Sequence, residues 1–122
     1  MEEFLLSSEP PPSLENIEAI ESKYDLILPA SYKEFLMTNN GGVALSEDRR
    51  FRDSVFFSVA NTANSLSSEI YERRNKNRIP IGSNLAGVYI SIDASSGEVF
   101  LAKTKVADDF ESFVRSYLLK AK

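Results

Sequence analysis

The 122-residue sequence predicts an α+β fold, with an antiparallel or mixed β-sheet packed against helices. Three observations lead there. The stretch "GVYISIDASSGEVFLAKT" (87–104) reads as a hairpin with its apolar side chains gathered on one face. Segments at 13–24, 29–38 and 106–122 carry apolar residues at helical spacing. The order of elements is strand, helix, helix, strand, helix, strands, helix, which lacks the strict alternation of a parallel βαβ sheet.

"EFLLS" (3–7) reads as a short edge strand, ended by Pro10, Pro11 and Pro12. Ser13 is the expected N-cap of the first helix, whose apolar face is Leu14, Ile17, Ile20 and Tyr24. Glu15, Glu18 and Glu21 follow one residue later, about 100° further round. They form an acidic stripe, read either as a solvated helix face or as a contact surface. Leu28 precedes a proline and is pushed towards extended geometry, so the second helix begins at or near Pro29. Tyr32, Phe35 and Leu36 form its buried face. Asn39, Asn40, Gly41 and Gly42 are expected to end it, because asparagine and glycine tolerate the left-handed C-terminal conformation.

"SEDRRFRD" (46–53) is too charged and aperiodic for core and is expected to be a surface loop. "SVFFSV" (54–59) is a plausible strand, and 61–75 a weaker helix with Ala63, Leu66, Ile70 and Arg74 on one side. "RIPIG" (78–82) is a short extended piece. In the hairpin, pairing Asp93 with Glu98 sets Ile92 opposite Val99, Ile90 opposite Leu101 and Val88 opposite Lys103. The other face then carries Tyr89, Ser91, Phe100 and Ala102. The final segment, 106–122, reads as a helix with Phe110, Phe113, Val114, Tyr117 and Leu118 on one side. Asp108, Asp109 and Glu111 stand at its start and Lys120 and Lys122 at its end, each suited to the helix dipole.

Composition narrows the chemistry. The chain has neither cysteine nor histidine. A Ser-His-Asp triad, a cysteine nucleophile, thiolate zinc and histidine-dependent metal sites are therefore excluded. No P-loop pattern occurs, and "DASSGE" lacks the ligand spacing of a calcium loop, so it is read as a turn. No catalytic residue, cofactor or metal is expected.

The opening "MEEFLLSSEPPP" has neither the basic start nor the long apolar core of a signal peptide, and no stretch nears the ~20 apolar residues of a membrane span. A cytoplasmic protein with no membrane partner is the expectation. The net charge of −4 is uneven: residues 1–48 hold ten acids against two bases, and 49–78 hold seven bases against three acids. This suggests one acidic and one basic surface, or two blocks that neutralise each other in the fold. Phe51 and Tyr71 in the basic block could stack on bases. The acidic chain, with a pI of about 4.9, argues against nucleic acid as a partner.

Taken in order, these motifs resemble the SUKH superfamily, which includes a yeast cell-wall-synthesis regulator and many bacterial immunity proteins. The resemblance is carried by "FLLSSEPPPSLENIEAIESKYDLILPASYKEFLMTNNGG", "RIPIGSNLAGVYISIDASSGEVFLA" and "VADDFESFVRSYL". The stretch from Leu28-Pro29 to Asn40-Gly41-Gly42 is its most specific part. The link "SNLAG" departs from the family's usual glycine-rich and acidic connection, with Gly87 alone.

The resemblance implies a single SUKH-like α+β domain over 1–122. It also implies a binding function, of the kind in which an immunity protein neutralises a cognate bacterial toxin, often a nuclease, by occlusion without catalysis. An intracellular scaffold or regulatory domain with no toxin partner is the alternative. Acids facing a basic toxin surface would be the expected contacts: Glu15, Glu18, Glu21, Asp25, Glu47 and Asp48. The sheet face with Tyr89 and Phe100 is the rival surface, unless a helix covers it. The expected assembly is a monomer or weak dimer.

Overall fold

The computed structural model describes residues 2–59, 66, 70 and 76–121. Among them, seven strands form one sheet in which each pairs antiparallel with the next: β1 (Leu5–Leu6), β2 (Gly42–Ala44), β3 (Val55–Phe56), β4 (Arg78–Ser83), β5 (Tyr89–Asp93), β6 (Val99–Leu101) and β7 (Thr104–Ala107). The helices α1 (Leu14–Lys23) and α2 (Ala30–Thr38) lie between β1 and β2 in sequence, and α3 (Phe110–Tyr117) follows β7. The architecture is α+β, and the sheet is antiparallel throughout the described strands.

The core lies on the sheet face that carries Leu5, Ala44, Phe56, Ile79, Ile90, Ile92 and Val99, all buried. Helix α2 meets this face through Phe35 against Phe56, with ring centroids 6.3 Å apart, and α3 through Phe113 against Phe56 at 6.5 Å. Tyr32 and Phe35 of α2 pack edge-on against Phe110 of α3 at 5.2 and 4.9 Å. Edge-to-face rings place the positive ring edge on the negative face, which adds to the area they bury. Leu66 and Ile70 are buried in the same core. The rest of the expected 61–75 helix, with Ala63, Tyr71 and Arg74, lies outside the described residues.

Local signals act as expected at several points. The Ser13 hydroxyl accepts the Asn16 N–H at 3.1 Å and caps α1. Ile17 and Ile20 are buried, but Leu14 is 64% exposed, because α1 turns its first residue away from the core. Pro29 is the N-cap and leaves Leu28 outside α2, while Tyr32, Phe35 and Leu36 are buried as predicted. The hairpin pairs Ile92 with Val99 and Ile90 with Leu101.

The "NNGG" segment does more than stop a helix. Asn39 has φ −122°, so it does not take the left-handed conformation expected of it. Both asparagines are buried, and their amides bind distant backbone. Asn39 Oδ1 accepts the N–H groups of Phe4 (2.7 Å) and Leu5 (3.1 Å), and its Nδ2 donates to Glu2 O at 3.0 Å. Asn40 Nδ2 donates to Pro10 O at 2.8 Å, and its Oδ1 accepts Val59 N–H at 2.7 Å. The two glycines take positive φ, and a Cβ on Gly42 would sit 2.3 Å from Leu6 O. The segment therefore fastens the N-terminal strand to the sheet.

Three expectations are corrected, and the extended reading of "RIPIG" is borne out and lengthened. The 46–53 loop is not surface alone: Phe51 is fully buried, edge-on to Phe113 at 5.1 Å and 4.8 Å from Tyr117, so it cannot stack on a base. "RIPIG" belongs to the six-residue strand β4, where Pro80 sits at a register shift that spares the ladder its missing N–H. The predicted pairing of Val88 with Lys103 does not form, because a tight turn at Ala102 and Lys103 reverses the chain into β7. Finally, α3 starts at Phe110, capped by Asp109, whose carboxylate accepts Ser112 N–H at 2.7 Å. It ends at Tyr117, and the tail runs extended, with Leu119 N–H on Leu45 O and Ala121 N–H on Glu3 O. Lys120 pairs with Glu2 at 2.7 Å instead of capping a helix.

Candidate partner-binding surfaces

The six acids singled out in the sequence fall into two groups. Glu15 and Glu18 are exposed on α1. Glu21 is not free: its carboxylate accepts Leu28 N–H at 2.8 Å and pairs with Lys33 Nζ at 3.4 Å, tying the α1–α2 connection. Asp25 has an exposed side chain, but its backbone closes α1 at φ +51°, with the next N–H, of Leu26, on Glu21 O at 3.0 Å. Aspartate tolerates this left-handed position better than most residues do.

Glu47 and Asp48 belong to the loop after β2, anchored by Ser46, whose hydroxyl donates to Tyr117 O. Glu47 is exposed. Asp48 is held by Arg50, with Nη2 at 2.9 Å and Nε at 3.1 Å, and this hydrogen bonding keeps its carboxyl below the usual range. Arg52 turns onto the carbonyls of Ser46 and Glu47. Arg50 and Arg52 of the basic block are thus spent within their own loop. Of the predicted acidic contacts, Glu15, Glu18, Asp25 and Glu47 present exposed carboxylates.

Asp93 raises the pKa of Glu98 across the turn, but the hydrogen bonds each acid receives outweigh that repulsion. Asp93 accepts the Ser95 hydroxyl at 2.6 Å and the N–H groups of Ser95 and Ser96, and these bonds lower its pKa. Glu98 turns to Lys105 at 2.9 Å, which lowers its pKa as well.

The rival surface is the sheet face away from the core. Cross-strand register lines up Leu6, Val43, Val55, Ser83 and Tyr89 in one row across five strands. Leu6 and Tyr89 are 44% and 46% exposed, so helices α2 and α3, which meet the opposite face, do not bury this row. Side chains alternate along a strand, so Phe56 and Phe57 take opposite sides; Phe57 is only 4% exposed and lies edge-on to Tyr89 at 6.2 Å. Phe100 is also on this face but is occupied: the Arg78 guanidinium lies 3.4 Å from its ring centroid, and Arg78 Nε is 3.7 Å from Asp93 Oδ2.

Beside Tyr89 the face opens into a cleft of about 410 Å³, lined by Asp53, Val55, Phe57, Ser83, Asn84, Leu85, Gly87 and Tyr89. One wall is the "SNLAG" link. Asn84 organises it by accepting the N–H groups of Ala86 and Val88, both at 3.0 Å, and Leu85 at its tip is 75% exposed. Asp53 also lines the cleft, at φ +59° with its N–H on Ala44 O at 3.1 Å. Sequence reasoning found Tyr89 and missed Asp53, Val55 and Phe57. The adjacent Phe56-Phe57 pair was the available signal, because alternation must send one ring to each face of the sheet.

Among the described residues no group of three or more acids is arranged to hold a metal ion, and no helix is long and apolar enough to cross a membrane. The molecule presents a helix-backed antiparallel sheet whose outer row is exposed at Leu6 and Tyr89 and partly buried between them, with exposed acids on α1. The chain belongs to the SMI1 / KNR4 family (SUKH-1), whose model matches residues 11–116. No curated protein was found to match it.

Proposed function

We propose that this protein is an immunity protein: it binds the catalytic domain of a cognate bacterial toxin and neutralises it by occlusion, without chemistry of its own. The whole chain, 1–122, acts as one SUKH-like domain in the cytoplasm. Membership of the SUKH-1 family carries this reading. Two surfaces support it. The exposed carboxylates of Glu15, Glu18, Asp25 and Glu47 suit the basic substrate-binding surface of a nuclease and would speed encounter. The outer sheet row supplies the apolar and aromatic area that carries most interface energy.

Co-expression with the toxin gene beside it tests the reading: protected cells and a one-to-one complex are expected. Absence of both protection and complex would leave the alternative, a regulatory scaffold domain. Reversing Glu15 and Glu18 to lysine should slow association and flatten its salt dependence. An unchanged association rate would remove α1 from the interface and leave the function standing.

A further inference from the structure

The chain contains one Asn-Gly pair, Asn40-Gly41, and the fold holds it shut. Asn40 is 2% exposed. Its side-chain amide is engaged at both ends, with Nδ2 on Pro10 O at 2.8 Å and Oδ1 on Val59 N–H at 2.7 Å. Its carbonyl accepts Glu9 N–H at 2.9 Å, and the Gly41 N–H donates to Asn39 O at 3.1 Å. The Ser8 hydroxyl donates to Gly41 O at 2.7 Å. Ser8, Glu9 and Pro10 therefore lie across the pair, and each bonds to it.

We infer that Asn40 is a deamidation site whose rate is set by the release of residues 8–10. A chain that has opened there is marked irreversibly. This property belongs to the chain alone and does not depend on the immunity reading.

The chemistry is intramolecular. When the pair is free, the Gly41 amide nitrogen loses its proton to solvent and attacks Asn40 Cγ. The N–Cγ bond forms, the Cγ–Nδ2 bond breaks, and Nδ2 leaves as ammonia with a proton taken from water. Water then opens the resulting succinimide at either carbonyl, giving aspartate or isoaspartate at position 40. No other asparagine of the chain is followed by glycine, and any other residue would shield the attacking nitrogen with a Cβ. The fold blocks the step in three ways. Cγ cannot swing towards Gly41 N while both amide atoms are bonded elsewhere. The Gly41 N–H faces a carbonyl instead of solvent base. The backbone has little room to turn, since a Cβ on Gly41 would lie only 2.7 Å from Ser58 Cβ. Reaction also removes the way back. Aspartate has no N–H for Pro10 O, and isoaspartate lengthens the main chain by one carbon where Asn40 pairs with Glu9. Both put a carboxylate where a neutral amide was buried, so the latch does not close again in its original form.

The test incubates the full chain in mildly alkaline buffer, folded and in urea, and follows aspartate and isoaspartate at position 40 by peptide mapping. The folded chain should react at least about tenfold more slowly than the chain in urea, because only opened molecules react. Ser8→Ala removes one bond of the latch without touching the reacting pair. It should speed the folded reaction roughly two- to tenfold, the equivalent of one hydrogen bond, and leave the rate in urea unchanged. Asn39→Ala, which loosens residues 2–5, should act in the same direction, with its own rate in urea as the reference. Equal rates in the folded chain and in urea, a folded rate indifferent to Ser8→Ala, or the absence of product at position 40 in urea would each overturn the inference.

Discussion

Replacing Asn39 by alanine should destabilise the fold by about 3 kcal/mol, although the residue contributes nothing to an apolar core. Its side chain is 1% exposed and makes three hydrogen bonds to the backbone of residues 2–5, at 2.7, 3.1 and 3.0 Å. Truncation leaves two N–H groups and one carbonyl without partners. A buried polar group left unpaired costs roughly 1–3 kcal/mol. Leu5 is buried and bears the full cost, whereas Phe4 is half-buried and Glu2 exposed, so water relieves part of theirs. The sum, about 3 kcal/mol, is a large fraction of the ~5–15 kcal/mol that stabilises a domain of this kind.

Urea denaturation should show the loss as a lower midpoint at nearly constant slope. Amide exchange at Phe4 and Leu5 should accelerate far more than at Ile90 or Ile92, because β1 is released before the central strands. Asn39→Asp separates the parts: it keeps the acceptor for both N–H groups but turns an oxygen towards Glu2 O, so its loss should be smaller than that of alanine. An Asn39→Ala variant within about 0.5 kcal/mol of the parent, or with uniform exchange along the sheet, would show that the clamp does not hold the strand.

Three further outcomes follow from the same geometry. The Tyr32 hydroxyl is buried without a partner, and burial pushes its pKa above the ordinary range. Tyr32→Phe should therefore leave stability unchanged or raise it by about 1 kcal/mol. The folded pKa is raised, so Tyr32's contribution is complete below about pH 10 and declines as pH rises beyond it. The alkaline loss of stability should be shallower in Tyr32→Phe, and equal slopes in urea melts at pH 9 and 11 would contradict this. Ala102 takes φ +52° in the β6–β7 turn, so Ala102→Gly should relieve left-handed strain of about 1–2 kcal/mol while adding roughly 0.4–1 kcal/mol of unfolded-state entropy. The net gain, about 0.5 kcal/mol, should appear in the urea midpoint, and a loss of stability would count against it. Asp93→Ala removes the acceptor of the β5–β6 turn and should cost about 1 kcal/mol at pH 7. Because its folded pKa is lowered, that cost should shrink as pH falls below about 3.9, and a pH-independent difference between variant and parent would refute the assignment.

Elements with a strong local period were legible from the chain. Ile17 and Ile20, then Tyr32, Phe35 and Leu36, then Phe110, Phe113 and Val114 recur at helical spacing, and all are buried. The β5–β6 register follows from alternation alone, with Ile92 on Val99 and Ile90 on Leu101. Strands of two to four residues were harder, because so short a stretch has no period of its own. β2 exists because β1 and β3 pair with it, and β7 was absorbed into the helix that follows. Phe51 was hidden by charged neighbours, although Arg50 lies over its ring and Phe113 receives it. Of the candidate surface, Tyr89 was visible as an aromatic on the less apolar face of the hairpin. Asp53 and Phe57 join it only through the β3–β4–β5 pairing.

The sequence by itself determined the three described helices, the central hairpin and the family, since each rests on residues within a few positions of one another or on the order of motifs. Only the tertiary structure decided that Asn39 and Asn40 are clamps, that Glu21 and Asp48 have structural partners, and that an acid and two rings share a cleft. Those roles depend on groups brought together from distant parts of the chain, over 30 residues apart for Asn39 and its strand, and local spacing cannot encode a contact at that range.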